Sequence, residues 1–353
     1  MTSVDSGLLR ELQADANDAE AVWGELLHRG WSDGLPVIPP TLDRVERMLA
    51  GRDPDHVHAV LGAVIGAEQG RPATLAKLAA NAVMAGCDPS YFPVVLAAIA
   101  LIGDTDRGMA YLNSPAAPML VLNGDVRNEL GINCGQEMLS MTTRANATIG
   151  RAVRLALMNV GGARVPDLFD VQHGMPGRAG MVFGEYEEES PWEPHSVSVG
   201  LAPGQSAVTL FLAVGTMPVN YHQVPQDASE LLLILTRCLD YVRGNRIGPS
   251  PDSGGGVVVL SPKHARAFSR EGWTKQRLEE ELTAAVNDHW DVELEAHRIK
   301  FELINRGHDP DEPMISQPKP QDPVTVLVAG GLGGWHSLYV PTHSWGVPVT
   351  RAI

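Results

Sequence analysis

Cysteine is scarce. The chain carries only Cys87, Cys134 and Cys238, no two of them close in sequence. An odd, sparse count of this kind excludes a disulfide framework and points to a reducing compartment. Basic residues are also in deficit, with 27 Lys and Arg against 42 Asp and Glu and a net charge of −15. No Lys/Arg cluster stands out, which argues against a groove for nucleic-acid phosphates. The acidity favours solubility and would attract cations or a basic partner. Long apolar runs are missing as well. The longest, FPVVLAAIALIG, falls short of the roughly 20 residues that a membrane span requires. The opening MTSVDSGLLRELQADANDAE has neither a basic n-region nor an apolar h-region, so no signal peptide is expected. These absences lead to the expectation of a cytoplasmic protein with no membrane or nucleic-acid partner.

What is present is an ordinary globular composition, 44% hydrophobic and 20% charged over 353 residues. That length suits one large α/β domain or two modest ones. Helical spacing from Leu8 to His28 predicts an amphipathic helix ending at Gly30. Leu35, Val37 and Ile38 suggest a short strand before Pro39 and Pro40, and Thr41 then caps a helix closed by Gly51. HAVLGAVIG and PMLVLNG read as strands. Two apolar helices are expected on either side of a Gly86–Asp88–Pro89 break, and another over RANATIGRAVRLALMNVGG. The last third offers a helix (SELLLILTRCLDYVRG), a strand (GGGVVVLS), a helix–turn–helix around Gly272–Trp273, and a strand (VTVLVAGG) entering a glycine-rich loop. The expected fold class is α/β, with pseudo-equivalent α/β lobes at 1–160 and 226–353 and a β-rich, loop-rich middle section at 161–225. The echo between the lobes is slight, and chance resemblance explains it about as well.

Chemistry-bearing residues gather in a few places. The strip EYEEESPWEPHS crowds Glu185, Glu187, Glu188, Glu189 and Glu193 around Trp192, Pro191 and Pro194 and ends on His195. A solvated acidic loop is one account. The other is a proton-moving or cation-binding strip, with Trp192 as an apolar wall that raises one glutamate's pKa and with Glu187, Glu188 and His195 as acid–base candidates. Extended geometry would set Glu185, Glu187 and Glu189 on one face. The strand-to-loop segment VAGGLGGWHSLYVPTHSWG places Gly330, Gly331, Gly333 and Gly334 ahead of His336, Ser337 and His343. Backbone amides there could approach an anion closely, with His336 as a catalytic candidate, or the segment is only a tight turn. At the start of RANATIGRAVRLALMNVGG, Arg144, Asn146 and Thr148 suit a carboxylate or phosphate, or form an ordinary cap. Cys87 at the helix break is either a nucleophile or a packing residue. No HExxH or paired CxxC motif marks a metal site, so a divalent cation held by Glu and His is only an alternative.

WSDGLPVIPPT, the segment from ATLAKLAANAVMAGC to YFPVVLAAIA, ANATIGRAVRLALMNVGG, EEESPWEPHSV, HARAFSREGWTKQRLEEEL and VAGGLGGWHSLYVPTHSWGVPVTRAI together span nearly the whole chain. On these segments it resembles a bacterial family associated with small selenoproteins, and their cysteine forms, that carry a (Sec/Cys)-Gly-Ser-Cys (UGSC-type) motif. The resemblance implies reductive chemistry on a small substrate by the partner. This chain has no such motif, and it departs from the family pattern at Tyr186 and Cys134. Two expectations follow. The first is an enzyme of lyase, hydratase or hydrolase type acting on a small carboxylate- or amide-bearing molecule, assembled as a homo-oligomer. The second is a substrate-presenting or structural subunit of a thiol/selenol reductase complex.

Overall fold

A computed structural model describes residues 18–56, 73–103, 116–163, 174–223, 227–243, 255–287, 323–343 and 348–353. Helix α1 (Ala19–His28) starts at Asp18, whose carboxylate accepts the Glu20 and Ala21 amides. The predicted start at Leu8 and the HAVLGAVIG strand lie outside the described residues. Leu35 to Ile38 forms no strand. Prolines 36, 39 and 40 remove donors that a ladder needs. The segment is instead tied down by Arg151, which grips the Asp33 carboxylate and donates to the Leu35 and Pro36 carbonyls. Helix α2 (Leu42–Leu49) follows Thr41, which supplies no side-chain cap, and Ala50 at φ 48° closes it ahead of Gly51. The apolar pair α3 (Leu75–Ala85) and α4 (Phe92–Ile102) breaks where expected, at a left-handed Gly86 and an Asp88-capped turn.

The remaining described elements alternate. They are β1 (Ala117–Asn123), α5 (Val126–Glu129), α6 (Arg144–Asn159), β2 (Met181–Gly184), α7 (His195–Ser198), β3 (Ala207–Ala213) and β4 (Met217–Asn220), then α8 (Ala228–Arg243), β5 (Val257–Leu260), α9 (Pro262–Arg270), α10 (Lys275–Asn287), β6 (Thr325–Val328), β7 (His336–Val340) and β8 (Val349–Ala352). The fold is α/β, with mixed parallel and antiparallel sheets. One sheet runs β2-β1-β3-β8 and the other, read in the same sense, β6-β5-β7-β4. In each, a parallel pair (β1 with β2, β5 with β6) is followed by antiparallel neighbours. The fourth position is exchanged: β4 joins the sheet built from β5, β6 and β7, and β8 joins that built from β1, β2 and β3. The described strands of the expected middle section are thus shared between the two sheets, β2 and β3 in one and β4 in the other.

Strand alternation divides the side chains of both sheets. Met119, Val121, Phe183 and Phe211 of the first sheet pack with Val257, Val259, Leu327 and Val340 of the second in one core, so the sheets lie face to face. The opposite faces carry the helices. Leu120, Leu122 and Leu210 belong to one core with apolar residues of α1, α2, α3, α4 and α6, while Val258, Leu260 and Tyr339 belong to another with those of α8, α9 and α10. The result is a helix–sheet–sheet–helix stack. The carboxyl ends of the parallel strands from both sheets come together, because the Tyr186 amide donates to the Val328 carbonyl (2.7 Å) and the Gly330 amide to that of Cys134 (2.8 Å). Ligands of open α/β sheets favour such strand ends.

Candidate functional site

The acidic strip begins where β2 ends. Glu185, only 1% exposed, accepts from the Asn123 carboxamide (2.7 Å) and the His195 amide (2.7 Å), and its other oxygen lies 3.8 Å from the Lys275 ammonium. Glu187, Glu188 and Glu189 form a 3-10 turn, so the expected one-face alternation does not occur. Glu187 accepts from the Gly124 amide (2.8 Å) and Asn123 (3.0 Å) and pairs with Arg127 (3.2 Å). Glu188 takes a two-bond grip from the same guanidinium, at 2.9 and 3.1 Å, and Glu189 pairs with Arg266 at 2.7 Å. Arg127 is itself buried and runs over Gly184, where a Cβ would stand 3.1 Å from its Cδ and 2.5 Å from the Cys134 sulfur.

The strip is therefore tied to cations and backbone amides at Glu185, Glu187, Glu188 and Glu189. The Arg127 bond holds the Glu188 carboxyl down at about 2. Burial, assisted by Lys275, pushes the His195 imidazole down to about 3, and its Nε2 has no hydrogen-bond partner among the described residues. It packs near Phe211, with ring centroids 5.9 Å apart. Trp192 sends its indole N–H to the Trp273 carbonyl and so braces the start of α10.

The other predicted residues separate. Asn146 is 3% exposed; its carboxamide donates to the Asn133, Met138 and Val182 carbonyls and accepts the Asn133 amide and the Thr143 hydroxyl. It joins the loop after α5 to β2, and the helix cap is Thr143. Arg144 donates to the Gly86 carbonyl and Thr148 to that of Arg144, which ties α6 to the α3–α4 break. Cys87 is buried at that break, after the end of α3. Its thiol bonds the Thr148 carbonyl, and burial pushes it up to about 12, which keeps it protonated at neutral pH.

The final segment is not one loop. Gly330, Gly331, Gly333 and Gly334 form the turn after β6, but His336 and Ser337 open strand β7. His343 lies past that strand's other end, with its amide on the Leu212 carbonyl. Alternation along HSLYV turns Ser337 and Tyr339 inward, and the register with β4 and β5 fixes them there. Ser337 Oγ lies 2.7 Å from Nδ1 of His264, a fully buried residue of α9. Because a carbonyl only accepts, Nε2–H of His264 donates to Tyr221 (3.4 Å) and Nδ1 accepts the Ser337 hydroxyl. Burial holds this imidazole neutral, down to about 4.

Outward of this closed dyad stand His336 and His222, both exposed, with Nε2 atoms 3.4 Å apart. The Trp335 ring meets His222 edge-on at 5.5 Å, and the Lys263 ammonium sits 5.1 Å from the Trp335 ring centre. His222 also lines an open pocket of about 490 Å³ with Asn220, Tyr221, Gln223, Glu230, Leu233 and Ile234. Within it, the Tyr221 hydroxyl donates to Glu230 at 2.7 Å. Sequence reasoning singled out His336 but missed His222, His264 and Arg127. The tyrosine and histidine after MPVN were the available signal, at the end of a short strand. Among the described residues no group of three or more His, Cys, Asp or Glu side chains is placed to hold a metal, and no helix is long and apolar enough to cross a membrane. No protein-family model, curated protein or solved structure matches the chain.

Proposed function

We propose that the chain is a cytoplasmic enzyme of lyase, hydratase or hydrolase type that acts on a small carboxylate- or amide-bearing molecule in the pocket at the end of β4. The observation carrying this reading is the exposed imidazole pair, His222 and His336, beside a pocket of about 490 Å³. That volume lies within the roughly 300–1,000 Å³ of small-molecule sites. Imidazole both donates and accepts protons, the requirement for general acid–base work. The Asn220 and Gln223 carboxamides offer paired donors and acceptors to a carboxylate or amide, and Leu233 and Ile234 supply an apolar wall. Glu187 and Glu188 serve this reading as anchors. Through Arg127 they fix the strand ends, and proton transfer falls to the histidines.

The test is turnover of a panel of hydroxy acids, unsaturated acids and amides, followed by mass spectrometry for gain or loss of water. Turnover should fall by about 10²-fold or more in His222→Ala and His336→Ala, the usual weight of one acid–base group, with melting unchanged. Rates indifferent to both substitutions would sink the reading. A second reading, a subunit presenting substrate to a (Sec/Cys)-Gly-Ser-Cys partner, draws on Leu332 (55% exposed) and Trp335 (42% exposed) in the glycine turn. Capture of that partner by the chain, weakened in Trp335→Ala, would support it.

A further inference from the structure

The 3.4 Å between Nε2 of His222 and Nε2 of His336 has a specific chemical meaning. Two imidazoles bound to one tetrahedral Zn²⁺ at about 2.0–2.1 Å place their nitrogens roughly 3.3–3.4 Å apart. Without a metal the same spacing is a long N–H···N hydrogen bond between the two rings, so the pair is already held at the separation a shared ion requires. We propose that His222 and His336 form a two-histidine site for a nitrogen-preferring divalent transition-metal ion, with its other positions open to water or to a ligand in the pocket. The proposal deepens the reading of that pocket and rests on it for its functional meaning. Metal binding itself is measurable without any substrate.

The backbone prepares the pair. His336 lies opposite Asn220 in the β4–β7 ladder, and the Tyr221 amide donates to the Trp335 carbonyl at 3.0 Å. These bonds fix the chain beside each histidine, and Trp335 packs edge-on against the His222 ring, so little ordering remains for a metal to impose. The donors also select the ion. Imidazole nitrogens suit Zn²⁺, Co²⁺, Ni²⁺ and Cu²⁺, whereas Mg²⁺ and Ca²⁺ seek oxygen. Among the described residues no third His, Cys, Asp or Glu joins the pair, so those residues supply two ligands.

The deciding experiment is calorimetric titration of the metal-free full chain with ZnCl₂, with MgCl₂ as the contrast. One equivalent of Zn²⁺ should bind and Mg²⁺ should not. Affinity should weaken by more than about tenfold in His222→Ala and in His336→Ala, since loss of even an outer-sphere partner costs about that much. The metal-free variants should melt as the parent does. Absence of Zn²⁺ binding, or equal binding by parent and both variants, would overturn the proposal. Histidine-dependent turnover by a chain that binds no Zn²⁺ would overturn the metal site and leave the pocket reading intact. Zinc held by the pair in a chain without turnover would sustain the metal site and count against the pocket reading alone.

Discussion

At the scale of single residues, the crowding of carboxylates in EYEEESPWEPHS is answered by cations brought from far along the chain. Confined like charges raise one another's cost unless paired. Here Arg127 takes Glu187 and Glu188, Arg266 takes Glu189, and Lys275 approaches Glu185. Arg127→Met leaves the first two unpaired, and unfolding in urea should show a loss of about 3 kcal/mol, the low end for breaking a buried pair, since Glu188 is half-exposed. The pH dependence carries the same signature. Glu188 is held at about 2 against an ordinary value of 4.5, so its contribution is complete above about 4.5 and is lost as pH falls toward 2. His195 and His264, held at about 3 and 4, stay neutral in the fold while the unfolded chain gains protons below about 6.5. Stability should therefore decline from pH 6.5 downward and fall faster below 4.5. In Arg127→Met only the later decline should flatten. If the whole acid limb is unchanged in that variant, the pairing does not stabilise the strip.

At the scale of elements, close approach of backbones decides what a helix tolerates. Gly150 of α6 faces the turn before β2, where an added Cβ would lie 2.6 Å from the Gly180 Cα. Neither backbone can yield, so Gly150→Ala should cost about 1–3 kcal/mol of stability, read as a lower urea midpoint. Gly24, on the exposed side of α1, has nothing within 4 Å of such a Cβ. There the same change should stabilise by roughly 0.5–1 kcal/mol, because helix propensity alone acts. Equal effects at both sites would contradict the packing of α6 on β2.

The elements legible in the sequence were those with a local signal. Unbroken apolar runs marked β1, β5 and β6, and helical periodicity with glycine and proline stops marked α3, α4 and α6. Strand β7 was lost because HSLYV follows glycines and carries polar residues, and β8 because VTRA is short and one-sided. Both are strands because distant partners complete their ladders. The site divided in the same way. His336 was visible as a side chain after a strand, but its partner His222 lies 114 residues away. Arg127 stood in no recognised motif, and only the fold brings Glu188 to it across 61 residues.

At the scale of the whole molecule, the exchanged fourth strands make each half depend on the other. Strand β8 covers the β3 edge from Ala207 to Leu210, and Thr209 and Thr350 join their hydroxyls at 2.8 Å. In return β4 covers the edge of β7. The sheets also share an apolar core, so either half alone would expose an apolar sheet face as well as an unpaired edge, a template for aggregation. Residues 1–254 and 255–353, produced as separate chains in one cell, should therefore co-purify as a one-to-one complex. Each expressed alone should be insoluble or fail to melt cooperatively. Removing residues 349–353 from the second piece should weaken the complex, because that strand is its contribution to the other sheet. A soluble, cooperatively melting monomer from either piece would show that the exchange is dispensable, and the two sheets would then count as independent domains in contact.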